Sequence, residues 1–216
     1  MDAPRPLLLV CALLPAAAGC GAASRIAGVE GRAVPCPAAL VRPASPAPGV
    51  EVAVACVSYD VEGETAEALA ASMDARGPRD ERGRYHGYTA FELSYGYDER
   101  EGEGACRPES VLVRIRIVHV LPALAQGRAL APDLAARWQR FTDRLTFHEA
   151  GHGELDVAAA LRLFAALALL PPEPSCGAVR DRAHATFQGV VRGLRRDNRR
   201  YDMETAHGVE QGARFP

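Results

Sequence analysis

The sequence predicts an α+β domain, a small antiparallel sheet packed against a long helix and a C-terminal helix. Three observations predict it. Ser110–Leu121 (SVLVRIRIVHVL) alternates, with Leu112, Arg114 and Arg116 on one face and Val113, Ile115 and Ile117 on the other. From Pro132 the period changes to three-four, through Leu134, Trp138, Phe141, Leu145 and His148. The elements come as strand, helix, strands, then helices, which is the order of an α+β fold.

The N-terminus opens with an apolar run, Pro6 to Ala18, after a lone Arg5, followed by small residues to Ser24. This is the layout of a secretory signal peptide over residues 1–23. Ala17-Ala18-Gly19-Cys20 is similar to a lipoprotein cleavage box, with Cys20 as the acylated residue and a lipid anchor as the consequence. Simple cleavage near Ala18 or Ala23 is the alternative. Residues 24–49 are rich in Pro, Ala and Gly and read as an arm or linker. The folded domain is expected over 50–216.

Within it, Val50 to Tyr59 is Val-rich and reads as a strand. Thr65–Arg76 is a helix with Thr65 as N-cap, stopped by Gly77-Pro78. Tyr85–Tyr97, aromatic and Thr-rich, is a strand pair or one bent strand. Pro132 suits a first helical turn, and the pattern runs to Pro171-Pro172, with a bend expected near Gly151-His152-Gly153. A last helix is expected over about 178–199.

Composition excludes several classes. The chain has 216 residues, 24% charged and 48% hydrophobic, enough for one packed domain. A net charge of −2 offers nothing to nucleic acid, and no apolar segment after the N-terminus is long enough for a transmembrane domain. All 25 basic residues are Arg, a coding bias rather than chemistry. Of six Cys, Cys36, Cys56, Cys106 and Cys176 remain beyond the export segment, an even number in a chain read as exported to the periplasm or beyond. Four Cys allow three connectivities, and spacing does not choose among them.

The chemistry lies in His148-Glu149-Ala150-Gly151-His152, an HExxH motif. Helical positions i and i+4 share a face, so two imidazoles can hold one Zn²⁺, while Glu149 sits beside the metal as general base. Ala150 and Gly151 are small enough to let a substrate or a second element come close. A third ligand is needed. Glu154 and Asp156 are too near on the same helix, His86 and His119 read as sheet residues, and His184 as a surface or packing residue. The polar block Tyr201–Gly208 remains, in which His207, next to Gly208, is the third ligand and Asp202 its alternative. Tyr201 is the candidate oxyanion donor. The strand Val111–Val120 is either the central core strand or a docking strand for an extended peptide.

Together with HExxH, the stretches Tyr59-Asp60-Val61-Glu62-Gly63, Gly83–Thr89, Cys106–Pro122, Cys176 and the ending YDMETAHGVEQGARFP resemble the bacterial DUF922 family, described as predicted secreted zinc-dependent proteases. The resemblance covers about residues 50–216. It implies export, a zincin-like active-site helix, His207 as the third zinc ligand and a Cys106–Cys176 disulfide, which leaves Cys36–Cys56. The leading function is an exported zinc metallopeptidase acting on a peptide or protein substrate. The alternatives are a zinc-stabilised envelope binding or structural protein without turnover, and a cell-wall amidase.

Overall fold

The computed structural model describes residues 24–26, 29–81, 83–127 and 129–215. The signal-peptide and Cys20 acylation readings fall on 1–23, outside the described residues. The strands are β1 (Ser24–Ile26), β2 (Val29–Val34), β3 (Val50–Val61), β4 (Arg79–Asp80), β5 (Gly83–Arg84), β6 (Tyr88–Gly102) and β7 (Ala105–Leu124). The helices are α1 (Ala66–Arg76), α2 (Pro132–Ala168) and α3 (Cys176–Thr205). The fold is α+β, as the element order predicts.

The sheet is mixed, not purely antiparallel. Its order is β1-β2-β3-β7-β6, and β3 pairs with β7 in parallel from Val50↔Val113 to Val61↔Leu124. Alternation along a strand reports which face is buried; it carries nothing about the direction of the neighbour. The parallel pair needs a long crossover, and α1 with the segments through β6 supplies it. β6 and β7 form an antiparallel hairpin, turned at Glu103 and Gly104, both with positive φ. The hairpin outruns the expected strands because its acidic, Gly-containing tip has little strand propensity of its own. β7 is central, with β3 on one edge and β6 on the other. Val111–Val120 is therefore the core strand and has no edge free to dock a peptide over Val113–Val120.

Two hydrophobic clusters hold the helices. One joins Val57, Tyr59, Val61, Val118 and Val120 to Leu69 and Met73 of α1 and to Trp138, Phe141 and Leu145 of α2. The other joins Val50, Val52, Val113, Ile115 and Ile117 to Ala160, Leu163 and Leu167 of α2 and to Ala183 of α3. The two sets of strand residues differ in parity and the register is unshifted, so the clusters use opposite faces of the β3–β7 pair. α2 serves both, one half each, and the HExxH turn falls between them. Helical structure is unbroken from Pro132 to Ala168, so there is no break at Gly151-His152-Gly153.

The arm is sewn onto the domain rather than hanging as a tether. β2 pairs with β3 at Arg32↔Ser58 to Val34↔Cys56, Cys36 is bonded to Cys56, and Leu40 is fully buried. Each contact joins residues far apart in sequence, so composition alone could not reveal it. Cys106 is bonded to Cys176, tying the hairpin to the start of α3. Both pairs fit an oxidising compartment. Among the described residues no helix is long and apolar enough to cross a membrane. Removing the Cys106–Cys176 bridge, which spans 70 residues, is expected to cost about 4 kcal/mol in the chain-entropy model and roughly 10 °C in melting temperature. Calorimetry of a Cys106→Ala/Cys176→Ala double variant checks it.

Candidate metal centre

On α2, His148, Glu149, His152 and Asp156 are all buried, at 3, 3, 8 and 1% exposure. Four polar side chains gathered inside a core demand partners. Three of them, His148, His152 and Asp156, find partners on α3. Asn198, Tyr201, Asp202 and Thr205 lie at positions i, i+3, i+4 and i+7, one face of a helix, and that face meets α2. The helix was expected to end near Arg199, but it continues to Thr205. Polar residues at helical spacing read in sequence as a solvated tail; here they line the inside.

The chain then turns sharply through Ala206, His207 and Gly208, all with positive φ. A Cβ on Gly208 would stand 2.9 Å from His148 Cγ, so only glycine lets the backbone pass there. The turn carries Gln211 back to the imidazole: its Oε1 is 3.0 Å from His148 Nδ1. On the neighbouring ring, Asn198 Oδ1 is 2.6 Å from His152 Nδ1, and Asn198 Nδ2 donates to Asp156 Oδ1 at 3.3 Å.

With Nδ1 of each ring given to an amide oxygen, each Nε2 faces one Asp202 oxygen, at 3.6 Å from His148 and 3.0 Å from His152. One donor atom from each of the three residues lies within 4.8 Å of the others. Lone pairs and a carboxylate gathered so closely need protons or a cation between them. Two imidazole nitrogens and one carboxylate oxygen are donors that could hold a metal ion, with the far ring nitrogens oriented by second partners.

Asp202, the alternative third ligand, is thus the one that completes the group. His207 is half exposed; its Nδ1 lies 3.6 Å from Asp202 Oδ1 and its ring packs against Tyr85. It flanks the carboxylate from outside. The reason is the extra length of α3, which puts Asp202 on the inward face and His207 beyond the last turn.

Tyr201 sits among these groups, but its ring does the contacting. It stacks on His148 at 5.0 Å and 9° and meets His152 edge-on at 4.9 Å. Its hydroxyl donates to the His148 carbonyl at 3.2 Å and accepts from Gln211 Nε2 at 3.0 Å. The single phenol proton is thus directed at the α2 backbone. The approach of this side chain explains Gly151, where a Cβ would lie 2.2 Å from the hydroxyl oxygen. The second element that Gly151 admits is Tyr201.

Glu149 stands beside the donor group and outside it. Its Oε2 accepts from Thr89 Oγ1 at 2.6 Å, and Thr89 Oγ1 is also 2.8 Å from His119 Nδ1. Burial pushes the Glu149 carboxyl up, while the charges on His152 and His148 and the Thr89 hydrogen bond pull it back. Burial lifts Asp156 to about 7 against its Asn198 hydrogen bond. From the arm, Arg42 donates to the Ala150 carbonyl at 2.7 Å.

His184 is exposed on α3, as it reads in sequence, whereas His86, expected in the sheet, lies in the bend before β6 and is bonded to Asp74. His119 is fully buried and belongs to the site. The roles of Thr89, His119, Asn198 and Gln211 carry no motif in the sequence. Thr89, His119 and Gln211 lie inside stretches that carry the family resemblance, which is their only signal.

A family profile described as "Bacterial protein of unknown function (DUF922)" matches residues 56–208. The chain belongs to the DUF922 family. No curated protein and no solved structure matches it. The matched span of this DUF922 chain holds Thr89, His119, HExxH, Asn198 and Asp202, and its last residue is Gly208.

The metal-free form of the DUF922 chain should report the donor group through pH. Burial alone would lower His152, but the Asp202 hydrogen bond, Glu149 and the Asp202 charge raise it to about 9. Burial alone would raise Asp202, but hydrogen bonds from His148 and His152 and the histidine charges hold it well below the usual carboxylate range. A raised His stabilises fully below its unfolded value, about 6.5, and stops as pH climbs through its folded value. A lowered Asp stabilises above its unfolded value, about 4, and stops as pH falls through its folded value. The stabilisation that this pair gives the metal-free protein should therefore be greatest between about pH 4 and 6.5 and fade toward 9. Calorimetric scans across pH read it as the difference in melting temperature between wild type and Asp202→Asn.

Proposed function

We propose that this DUF922 chain is an exported zinc metallopeptidase with a zincin-like HExxH helix. The observation that carries the reading is the convergence of His148 Nε2, His152 Nε2 and an Asp202 oxygen, with Glu149 buried alongside and not among them. Zinc held there supplies Lewis acidity, bringing the pKa of a water toward neutrality and polarising a carbonyl. Glu149 accepts the proton of the attacking water and later delivers it to the leaving amine. Asn198 and Gln211 hold the two imidazoles in the tautomer that leaves Nε2 free. Tyr201 packs both rings in place. The two disulfides support the export half of the reading.

The second reading is a zinc-stabilised envelope protein without turnover, and a closed site of four protein donors would favour it. Among the described residues the group has three, which favours the open site of an enzyme. The test uses purified protein, stripped by chelation and reloaded with zinc, against casein, a broad peptide library and intact cell wall. Cleavage that disappears on chelation and returns with zinc supports the peptidase. Release of peptides from the glycan of intact cell wall, with the peptides themselves uncut, makes it an amidase. A protein that melts higher with zinc yet cleaves none of them is the structural alternative.

A further inference from the structure

We propose that Thr89 and the buried His119 form a directed hydrogen-bond chain that ties down one oxygen of Glu149 and leaves the other as the working base. This rests on the peptidase reading above. Thr89 on β6 and His119 on β7 are cross-strand partners in the sheet register, so their side chains stand side by side on one face. That face meets α2 at the HExxH turn. Thr89 Oγ1 is 2.6 Å from Glu149 Oε2 and 2.8 Å from His119 Nδ1.

The directions follow from the proton count. A threonine hydroxyl has one proton, and an ionised carboxylate only accepts. Thr89 therefore donates to Glu149, and must accept from His119. His119 is then the Nδ1–H tautomer, with a bare Nε2. The other end of the ring agrees: His119 Nε2 is buried beside Gly153 and has no hydrogen-bond partner. A proton placed there would be a buried, unsatisfied donor. Burial and the nearby charges of Arg42 and His152 bring the imidazole down to about 4, consistent with a neutral ring.

The second Glu149 oxygen is different. Among the described residues Oε1 has no hydrogen-bond partner, and it faces Gly87, where a Cβ would lie 2.5 Å away. Absence of a side chain at Gly87 keeps that oxygen clear. A carboxylate anchored through Oε2 keeps Oε1 in one orientation, which is what a base acting on a positioned water requires. His119 and Thr89 are positioning residues: they act through Glu149 and touch no substrate.

The test has two parts on the zinc-loaded, full-length protein. Nitrogen-15 NMR of the histidine rings at pH 7 should show His119 protonated at Nδ1 only. Protonation at Nε2, or at both nitrogens, overturns the chain. In kinetics, Thr89→Val, which keeps the shape and removes the hydroxyl, should lower kcat roughly 10–100-fold, the range typical of outer-shell partners. KM and zinc content should stay unchanged, and Thr89→Ser should restore kcat. Wild-type kcat in Thr89→Val, or a loss matched by loss of zinc, overturns the proposal. A wild-type protein that cleaves no substrate sinks the peptidase reading by itself; the tautomer of His119 still decides whether the chain exists.

Discussion

Glu149→Gln is expected to abolish hydrolysis while leaving metal binding intact. Glu149 is buried at 3% exposure beside the donor group and contributes none of its three atoms, so an amide of the same shape does not disturb the set. It removes the carboxylate that stands beside the donor group without belonging to it, and loss of a general base costs about 10²–10⁴-fold. The variant also keeps an oxygen able to accept from Thr89, so the packing around it survives. Steady-state kinetics with parallel metal analysis checks the prediction. A rate near wild type with full zinc would remove Glu149 from the mechanism, and zinc loss would make it a ligand.

The second large effect separates Asp202 from His207. Asp202→Ala should lose zinc on dialysis, because it deletes one of three donors and leaves the two Nε2 atoms facing an empty corner. The affinity loss should exceed the roughly 10–100-fold that outer-shell changes cost. His148→Ala and His152→Ala should behave alike. His207→Ala should retain stoichiometric zinc, since its ring lies outside the group and reaches only the carboxylate. Zinc stoichiometry after dialysis decides it. Retention in Asp202→Ala with loss in His207→Ala would restore His207 as the ligand and require the C-terminal turn to close inward.

The choice between Asp202 and His207 as third donor is local in cause. Asp202 and His207 are five residues apart, and which of them faces α2 depends on whether the helix stops at Arg199 or runs to Thr205. Arg199 and Arg200 followed by polar residues read as a fraying end. The continuation is supported by contacts to α2, among them Asn198 to His152 and Asp156, Tyr201 over Gly151 and Thr205 to His148. None of these pairings has a sequence signature. His119 shows the same thing in the sheet. On an alternating strand it read as one more sheet histidine, and only the register with β6 sets it against Thr89 and hence Glu149.

What the sequence determined by itself is what short-range geometry dictates. The α+β order, the Thr65 cap, which accepts from Ala68 N, the alternating β7 strand and the pairing of His148 with His152 on one helical face depend on residues a few positions apart. Their spacing is enforced by backbone periods of 2.0 and 3.6 wherever the segment ends up. What only the tertiary structure decided is everything that closes over a distance: the parallel β3–β7 pair, the arm sewn in by Cys36–Cys56, Asp202 against the two imidazoles, and the orienting partners Asn198, Gln211, Thr89 and His119. The physical reason is burial. Polar atoms taken into the core must find partners there, and which ones they find is settled by how helices and strands pack, at separations no periodicity encodes.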